Sequence, residues 1–505
     1  MRCWKYARRI APLFVVALGV STICRADDIT RPVTTESGQV TGVVRGDVET
    51  FFGIPYAAPP VGDLRWKEPA PPKPWKGVRP AASFGPACRQ TVDWIKEPQS
   101  EDCLFLNIWA PRTPAPKGKA YPVMVWFHGG GLFGGSGSQP GYDGAKLTRQ
   151  GVILVTINYR LGVLGFFAHP ELTAENPHQT SGNQGFLDQI AALKWVKQNI
   201  AGFGGDPGNV TIFGESAGSA SVNMLVNSPL AEGLFQRAIG ESSAIWSRVG
   251  LKTAEANGAK FGGALKAGSL KALRAMAADS LIKQPWQPDF TVDNYVYPAN
   301  PATLLATVQK KAVPTLLGWN ANEGVDLAAE EIGKSNPSLT EYQAAINRII
   351  HPAAPAQLRN RYPANTQEQA KTSLYQLVTD SMGNDMWNWA KQQRTAAPTY
   401  VYFFVHWPAE PLVACNYGCK AGHGAEIRFV FDQLDQDARP WSADDRMMAD
   451  RLVQYWTNFA RTGNPNGDGV PTWPRFDGTP ASVQRLGTDD EIKKRGEFVD
   501  FRQWE

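Results

Sequence analysis

One short segment constrains the fold of this chain more than any other: residues 214–218, with the sequence Gly-Glu-Ser-Ala-Gly. An apolar run typical of a strand precedes it at residues 210–213, and a run typical of a helix follows at residues 219–225. A serine on such a sharp strand-to-helix turn needs small neighbours, because the two arms approach closely and the backbone is strained. The turn also directs the N–H of Ala217 toward a negatively charged oxygen beside Ser216. The pattern occurs by chance in chains of this size, so a plain turn stays open at this point.

A glycine-rich loop lies about ninety residues before Ser216. Residues 121–127 are apolar, as in a buried strand, and His128, Gly129, Gly130 and Gly131 follow directly. Three glycines at a strand end leave backbone N–H groups free to turn toward a ligand. This loop precedes the serine, which is the order found in α/β-hydrolases. A flexible glycine turn without a function is the alternative.

A serine nucleophile needs a histidine base, and in this order the histidine follows both the serine and an acid. Three of the six histidines precede Ser216, which leaves His351, His406 and His423. A base must reach the serine and be held by a third group. His423 lies between two glycines just before a predicted helix, so we predict that it is the base. A lone histidine in a loop is also often merely solvated.

We predict that the acid is Glu323, which follows the apolar strand-like run at residues 314–319. Catalytic groups of open α/β sheets gather at the carboxyl ends of strands. Other carboxylates also lie between Ser216 and His423, so position alone leaves the choice open.

In this order, the motifs resemble those of the type-B carboxylesterase family, which includes the cholinesterases and bacterial carboxylesterases. The resemblance extends from about residue 53 to about residue 478. The matching segments are residues 52–57, 60–66, 101–109, 158–162, 182–185, 203–207, 214–218 and 456–460.

The resemblance implies a role for each candidate residue. Ser216 would be the nucleophile, Glu323 the orienting acid and His423 the base, while the amides of Gly130, Gly131 and Ala217 would form the oxyanion hole. Ser242 would lie close to these groups, although a serine there could equally cap a helix.

The implied activity is that of a serine esterase. It would cleave small-molecule carboxylic esters through an acyl-enzyme, without a cofactor. The same chemistry on amides, lactones or polymeric esters is an alternative. A catalytically inactive adhesion or binding domain is another, although such members have usually lost a triad residue.

The fold class predicted from the alternating strand-like and helical runs is α/β. We expect an α/β-hydrolase fold, with a mostly parallel sheet, helices on both faces and helical inserts that roof the active site. The inserts are predicted at about residues 252–284 and 339–393. Residues 27–505 show no linker or repeat and are predicted to form a single domain.

The first 26 residues are predicted to be a cleaved signal peptide, because a basic start precedes an apolar stretch too short to span a bilayer. The protein would then be secreted or periplasmic, without a membrane anchor. The whole chain has 51 Lys and Arg against 47 Asp and Glu, and removal of the five basic residues of the leader leaves 46 against 47. This balance gives no electrostatic case for nucleic-acid binding. The sequence does not define the oligomeric state.

Four cysteines remain after the leader, which suggests two disulfides in an exported protein. By the family resemblance, Cys88 pairs with Cys103, and Cys415 would then close a small ring with Cys419 near His423. A metal site of Cys415, Cys419 and His423 is the alternative, but Gly418 and Gly422 disfavour the helix that it would need. We therefore predict no metal.

Overall fold

The computed structural model describes residues 28–244, 248–297, 312–333, 336–350, 356–408, 420–436 and 438–504. The predicted signal peptide, Cys415 and Cys419 lie outside these ranges. The described strands are β1 (Asp28–Ile29), β2 (Val33–Thr35), β3 (Gly38–Thr41), β4 (Val43–Arg45), β5 (Val48–Pro55), β6 (Val78–Pro80), β7 (Ala87–Cys88), β8 (Gln99–Ser100), β9 (Phe105–Pro111), β10 (Tyr121–Phe127), β11 (Ile153–Ile157), β12 (Gly205–Glu215), β13 (Arg237–Glu241), β14 (Arg248–Gly250), β15 (Phe290–Val292), β16 (Thr315–Asn320), β17 (Thr399–Phe404) and β18 (Val483–Leu486).

Helices separate most of the later strands. The described α-helices are α1 (Ala145–Arg149), α2 (Gly162–Gly165), α3 (Pro170–Glu175), α4 (Gln184–Asn199), α5 (Ala217–Asn227), α6 (Leu251–Ala264), α7 (Leu270–Ala275), α8 (Ala278–Ile282), α9 (Glu323–Ile332), α10 (Leu339–Ile349), α11 (Ala356–Asn360), α12 (Gln367–Gln393), α13 (Ile427–Val430), α14 (Ala443–Thr462) and α15 (Asp489–Arg495).

Eleven strands form one large mixed sheet in the order β1-β4-β5-β9-β11-β10-β12-β13-β16-β17-β18. The first four pairs of neighbours are antiparallel, and every pair from β11 to β18 is parallel. Parallel strands need crossover connections, and α4, α5 and α12 lie in such connections. The predicted α/β-hydrolase architecture is therefore present.

Strand β10 shows why the sheet needs helices on both faces. All but its first residue are buried. Val123, Val125 and Phe127 belong to one core cluster, whereas Met124 and Trp126 belong to another. Side chains alternate between the two faces of a strand, so a strand that is apolar at every position requires a packed layer on each side.

The helical inserts lie close to where the sequence predicts them. The first contains α6, α7 and α8, and the second contains α10, α11 and α12. The buried side chains of Trp387 and Trp389 on helix α12 belong to the main core, where Trp389 packs against Gly240. Part of the second insert therefore enlarges the core.

The parallel part of the sheet determines where the site lies. Strands β10, β12, β13, β16 and β17 all run in the same direction, so their carboxyl ends share one edge. The glycine loop, Ser216, Ser242 and Glu323 follow four of these strands in turn. This edge gathers the predicted site residues from distant parts of the chain.

Candidate active site

Ser216 stands on the strained turn that the sequence predicts. Its φ and ψ are 55° and −126°, in a region that favours glycine. A Cβ on Gly214 would lie 2.6 Å from the carbonyl carbon of Gly218, so the two arms leave no room for a side chain. The Ser216 N–H donates to the Glu241 carbonyl of the neighbouring strand at 2.9 Å, which anchors the turn to the sheet.

The glycine loop lies directly against this serine. A Cβ on Gly129 would approach the Cβ of Ser216 to 3.2 Å. Gly130 and Gly131 have φ values of 96° and 62°, which turn the backbone back on itself. Within the described residues, the N–H groups of Gly130 and Gly131 have no backbone acceptor. Ala217 is the first residue of α5, where N–H groups have no acceptor within the helix. These three amides are therefore available to a ligand.

His128 is the buried residue at which the glycine loop begins. Burial lowers its pKa to about 4, so the ring is neutral at physiological pH. Its Nδ1 lies 2.8 Å from the Gly129 carbonyl oxygen, and its ring stacks on Tyr159 at 4.4 Å between centroids. The Tyr159 hydroxyl donates to the His128 carbonyl at 2.7 Å. The loop therefore begins from a tightly bonded residue.

Glu323 and His423 are in direct contact, although 100 residues separate them. Glu323 Oε2 lies 2.6 Å from His423 Nδ1, and both side chains are buried. Glu323 Oε1 accepts from the Asn320 N–H at 2.7 Å, so the carboxylate is held on both oxygens. The His423 N–H donates to Asp326 on α9 at 2.8 Å, which ties the histidine loop to the same helix.

The other ring nitrogen of His423 faces the serine turn. Its Nε2 lies 3.2 Å from Oε1 of Glu215, the residue before Ser216. Burial opposes a charge on this ring, but the carboxylates of Glu215 and Glu323 outweigh that effect and raise the pKa of His423. The imidazole therefore lies between two acids on neighbouring parts of the sheet edge.

Three buried glutamates near His423 were not singled out from the sequence: Glu215, Glu241 and Glu426. Glu215 and Glu241 are register partners in β12 and β13, and Trp456 Nε1 donates to Glu241 Oε1 at 2.9 Å. Burial raises the pKa of all three carboxyls, to about 8 for Glu215 and about 7 for Glu426, and well above its usual range for Glu241.

Ser242 belongs to this cluster. Its hydroxyl donates to Glu426 Oε1 at 3.4 Å, as does that of Tyr402. Among the described residues no helix begins directly after Ser242, so the helix-cap alternative does not hold there. A signal for Glu241 was present in the sequence, because the tripeptide Gly-Glu-Ser occurs at both 214–216 and 240–242.

These groups together suit acyl transfer. A serine on a strained turn, a histidine held by a buried acid, and free N–H groups beside the serine are the parts that this reaction needs. No cluster of three or more His, Cys, Asp or Glu side chains suited to a metal ion occurs among the residues that the structure describes. The cysteines of the alternative metal site lie outside those residues.

Comparisons with known proteins agree with this chemistry. The sequence model of the carboxylesterase family matches residues 30–502. The chain therefore belongs to the carboxylesterase family, which confirms the resemblance seen in its motifs. It is accordingly a carboxylic ester hydrolase of the serine hydrolase type.

Individual relatives match over most of their length. The fumonisin B1 esterase of Sphingopyxis macrogoltabida is 38% identical over 500 residues, covering 93% of this chain and 89% of that protein. The para-nitrobenzyl esterase of Bacillus subtilis (strain 168) is 37% identical over 477 residues, covering 88% and 92%. A solved PNB esterase structure superposes with a TM-score of 0.79 at 33% identity, covering 93% of this chain and all of that one.

Proposed function

We propose that this protein hydrolyses small-molecule carboxylic esters through an acyl-enzyme on Ser216. The observation that carries the proposal is the 2.6 Å contact between Glu323 Oε2 and His423 Nδ1, beside the turn that presents Ser216. In that arrangement Glu323 fixes the tautomer in which Nδ1 carries the proton and Nε2 has the lone pair that can accept one.

In the first half-reaction, Ser216 Oγ attacks the ester carbonyl while His423 Nε2 takes its proton. The carbonyl oxygen becomes an oxyanion, which the amides of Gly130, Gly131 and Ala217 bind. A single donor of this kind contributes about 3–4 kcal/mol to the barrier reduction in a comparable enzyme. His423 then gives its proton to the leaving alcohol, and Glu323 stabilises the transient imidazolium.

In the second half-reaction, water replaces the alcohol. His423 takes a proton from water as it attacks the acyl carbonyl, and the same amides bind the second oxyanion. Collapse of this intermediate returns the proton to Ser216 and releases the carboxylic acid. These steps need no group beyond the side chains and amides of the chain itself.

Two exposed aromatic side chains near the glycine loop favour substrates with an apolar part. Phe133 is 41% exposed and Trp94 is 52% exposed. The space beside Gly131 is occupied by the Phe133 ring, and a Cβ on Gly134 would lie 2.9 Å from Trp94 Cζ2. Apolar rings at this position can bind an alkyl or aryl group of an ester.

The cellular location is also part of the proposal. Residues 1–26 have the basic start, short apolar stretch and small residue of a cleavable leader, so we propose export to the periplasm or beyond. Within the described residues, no helix has the length and apolar character needed to cross a bilayer.

The test of the mechanism is labelling with an organophosphate followed by peptide mass spectrometry. We expect one adduct per chain, on Ser216, with loss of activity in proportion to labelling. Ser216→Ala should not be labelled and should lose activity by several orders of magnitude. The matched control is Ser242→Ala, which removes the serine of the second Gly-Glu-Ser turn and should still be labelled. Labelling elsewhere, or an active Ser216→Ala protein, would disprove the mechanism.

A further inference from the structure

The side chain of Gln90 forms hydrogen bonds to the glycine loop beside Ser216. Gln90 Nε2 donates to the Gly135 carbonyl at 2.8 Å, and the Gly135 N–H donates to Gln90 Oε1 at 2.7 Å. One amide thus satisfies both backbone groups of a buried glycine. Gln90 itself is only 7% exposed, so water does not compete with either bond.

Gly135 in turn fixes the residues whose amides face the serine. A Cβ on Gly135 would lie 2.7 Å from the Gly129 carbonyl oxygen, so the two backbone segments are in contact. The N–H of the preceding Gly134 donates to the Gly130 carbonyl at 2.8 Å. A shift of Gly135 would therefore move the backbone of Gly129 and Gly130.

Gln90 is held in its turn by the disulfide loop. Its Nε2 also donates to the Cys88 carbonyl at 2.9 Å, and its backbone N–H donates to Gln99 Oε1 at 3.1 Å. The structure contains the disulfide between Cys88 and Cys103, which closes this loop. A continuous set of bonds therefore runs from the disulfide through one amide side chain to the glycine loop.

We propose that Gln90 is a positioning residue for the oxyanion hole, with the disulfide loop as its support. This inference rests on the proposed function, because it assigns the Gly130 and Gly131 amides to the oxyanion. Gln90 does not touch the substrate and acts only through Gly135. Donors must lie within a few tenths of an ångström of the developing oxyanion, so loosening their support costs rate more than substrate binding.

The principal variant is Gln90→Leu, which keeps the approximate size and removes both hydrogen bonds to Gly135. We expect kcat to fall by about 10- to 100-fold while KM changes by less than about threefold. The concentration of active sites is counted by organophosphate titration, so that unfolded protein does not enter kcat. Gln90→Asn retains an amide on a side chain that is one methylene shorter, and its kcat should lie between those of wild type and Gln90→Leu.

A trifluoromethyl ketone reports on the oxyanion hole directly. Ser216 Oγ adds to its carbonyl, the serine proton passes to His423, and the carbonyl oxygen becomes an oxyanion in the hole. We expect its inhibition constant to rise in Gln90→Leu by the same factor by which kcat/KM falls. A role in stability alone would leave this constant unchanged in the folded fraction.

The matched control is Gln236→Leu. Gln236 Oε1 also accepts a backbone N–H, that of Val210, at 2.8 Å, but Gln236 directly precedes β13 and so lies at the opposite end of that strand from Ser242. This variant should lower the melting temperature and leave both kcat and the ketone inhibition constant unchanged.

The support from the disulfide is tested by the double variant Cys88→Ser/Cys103→Ser. If the loop acts through Gln90, adding Gln90→Leu to this protein should lower kcat by less than it does in wild type. Wild-type kcat and ketone affinity in both Gln90 variants would overturn the inference, as would full additivity. Failure of the proposed function would differ, because Ser216→Ala would then keep its activity whatever the Gln90 result.

Discussion

Two buried histidines of this molecule, His406 and His423, each lie between two carboxylates, which raise the pKa of His406 to about 9 and that of His423 to about 10. His406 lies between Glu491 and Asp445, at 2.8 and 2.9 Å from its two ring nitrogens. His423 lies between Glu323 and Glu215, at 2.6 and 3.2 Å. The difference lies in what else the carboxylates contact.

The acids around His406 are fully hydrogen-bonded. Asp445 accepts from the Ser442 N–H at 2.8 Å, and Glu491 accepts from the Thr488 and Trp407 N–H groups at 2.9 and 2.8 Å. Although burial opposes their charge, these bonds and those to His406 lower the pKa of both acids to about 2. Also against the effect of burial, the acids raise the pKa of His406 to about 9. The cluster is therefore a charged clamp that joins β17 to the first turns of α14 and α15.

The acids near His423 are not all fully hydrogen-bonded. Glu323 is held on both oxygens. Glu215 Oε1 has only the 3.2 Å contact to His423 Nε2, and Glu241 Oε2 accepts no hydrogen bond from any residue in the described ranges. Burial accordingly raises the pKa of Glu215 and Glu241 instead of leaving them firmly ionised. The donors available to the carboxylates, and not the contact to histidine, therefore distinguish the clamp from the proposed proton-transfer site.

The largest expected effect is at His423. His423→Ala should lower kcat by about 10⁴- to 10⁶-fold, because nucleophile and base act as a unit. The melting temperature should change by only a few degrees, since the neighbouring Glu215 and Glu426, whose pKa values are raised by burial, can take up protons. Steady-state kinetics and thermal unfolding measure the two effects. An active His423→Ala protein would show that His423 is not the base and does not differ from His406 in function.

His406 should behave in the opposite way. His406→Gln removes the positive partner of two buried carboxylates, which costs about 3–5 kcal/mol of the free energy of unfolding. The value of kcat per titrated active site should stay within about threefold of wild type, because His406 contacts no group of the proposed triad. Urea unfolding with active-site titration measures both. A large loss of kcat at unchanged stability would show that His406 belongs to the site.

The clamp should also have a defined pH window. The pKa of His406 rises from 6.5 to about 9 on folding, so its contribution is complete below pH 6.5 and is lost as the pH rises through 9. The two acids contribute above their unfolded pKa values of 3.8 and 4.5 and lose that contribution as the pH falls toward 2. The stability difference between wild type and His406→Gln should therefore peak near pH 5–6.5. A difference that is flat to pH 9.5 would contradict this account.

The smallest expected effect is on the pH dependence of kcat/KM, which should respond differently to Glu215 and Glu241, the last residues of β12 and β13. The ionised form of Glu215 raises the pKa of His423, although burial raises the pKa of Glu215 itself to about 8. Glu215→Gln removes this contribution, so the pKa of His423 falls and the acid limb of kcat/KM should move to lower pH. Glu241→Gln is the matched control, because the carboxylates that raise the pKa of His423 are those of Glu215, Glu323 and Glu426. It should leave the limb in place, and an equal shift in both variants would contradict the special role of Glu215.

The sequence predicts much of the fold and part of the site, because those features depend on local patterns. Apolar runs followed by glycine or a carboxylate mark strand ends, and parallel strands bring their ends to one edge. Ser216 and the glycine loop could be placed in this way, whereas position alone left the choice of Glu323 open. The two flanking glycines favoured His423 over His406, but the acids that contact each histidine lie far away in the chain and have no local signature.

The supporting groups were beyond sequence reasoning for a related reason. The bond between Gln90 and Gly135 joins positions 45 residues apart, and that between Trp456 and Glu241 joins positions 215 apart. Neither pair has a periodic or compositional signature. The register of β12 with β13 was needed before the repeated Gly-Glu-Ser could be recognised as two adjacent acids.

The two Gly-Glu-Ser turns have a consequence for how much sequence change the molecule can tolerate. Ser216 and Ser242 have φ values of 55° and 56°, a conformation that costs a non-glycine residue about 1–3 kcal/mol. Neither can become glycine without losing its hydroxyl, which in Ser242 reaches Glu426. The strained backbone at these two serines therefore lowers the free energy of unfolding, which for a typical protein is only about 5–15 kcal/mol. Other parts of the chain, such as the His406 clamp, must supply the compensating stability, so destabilising substitutions there should lower the amount of folded protein without changing kcat per active site.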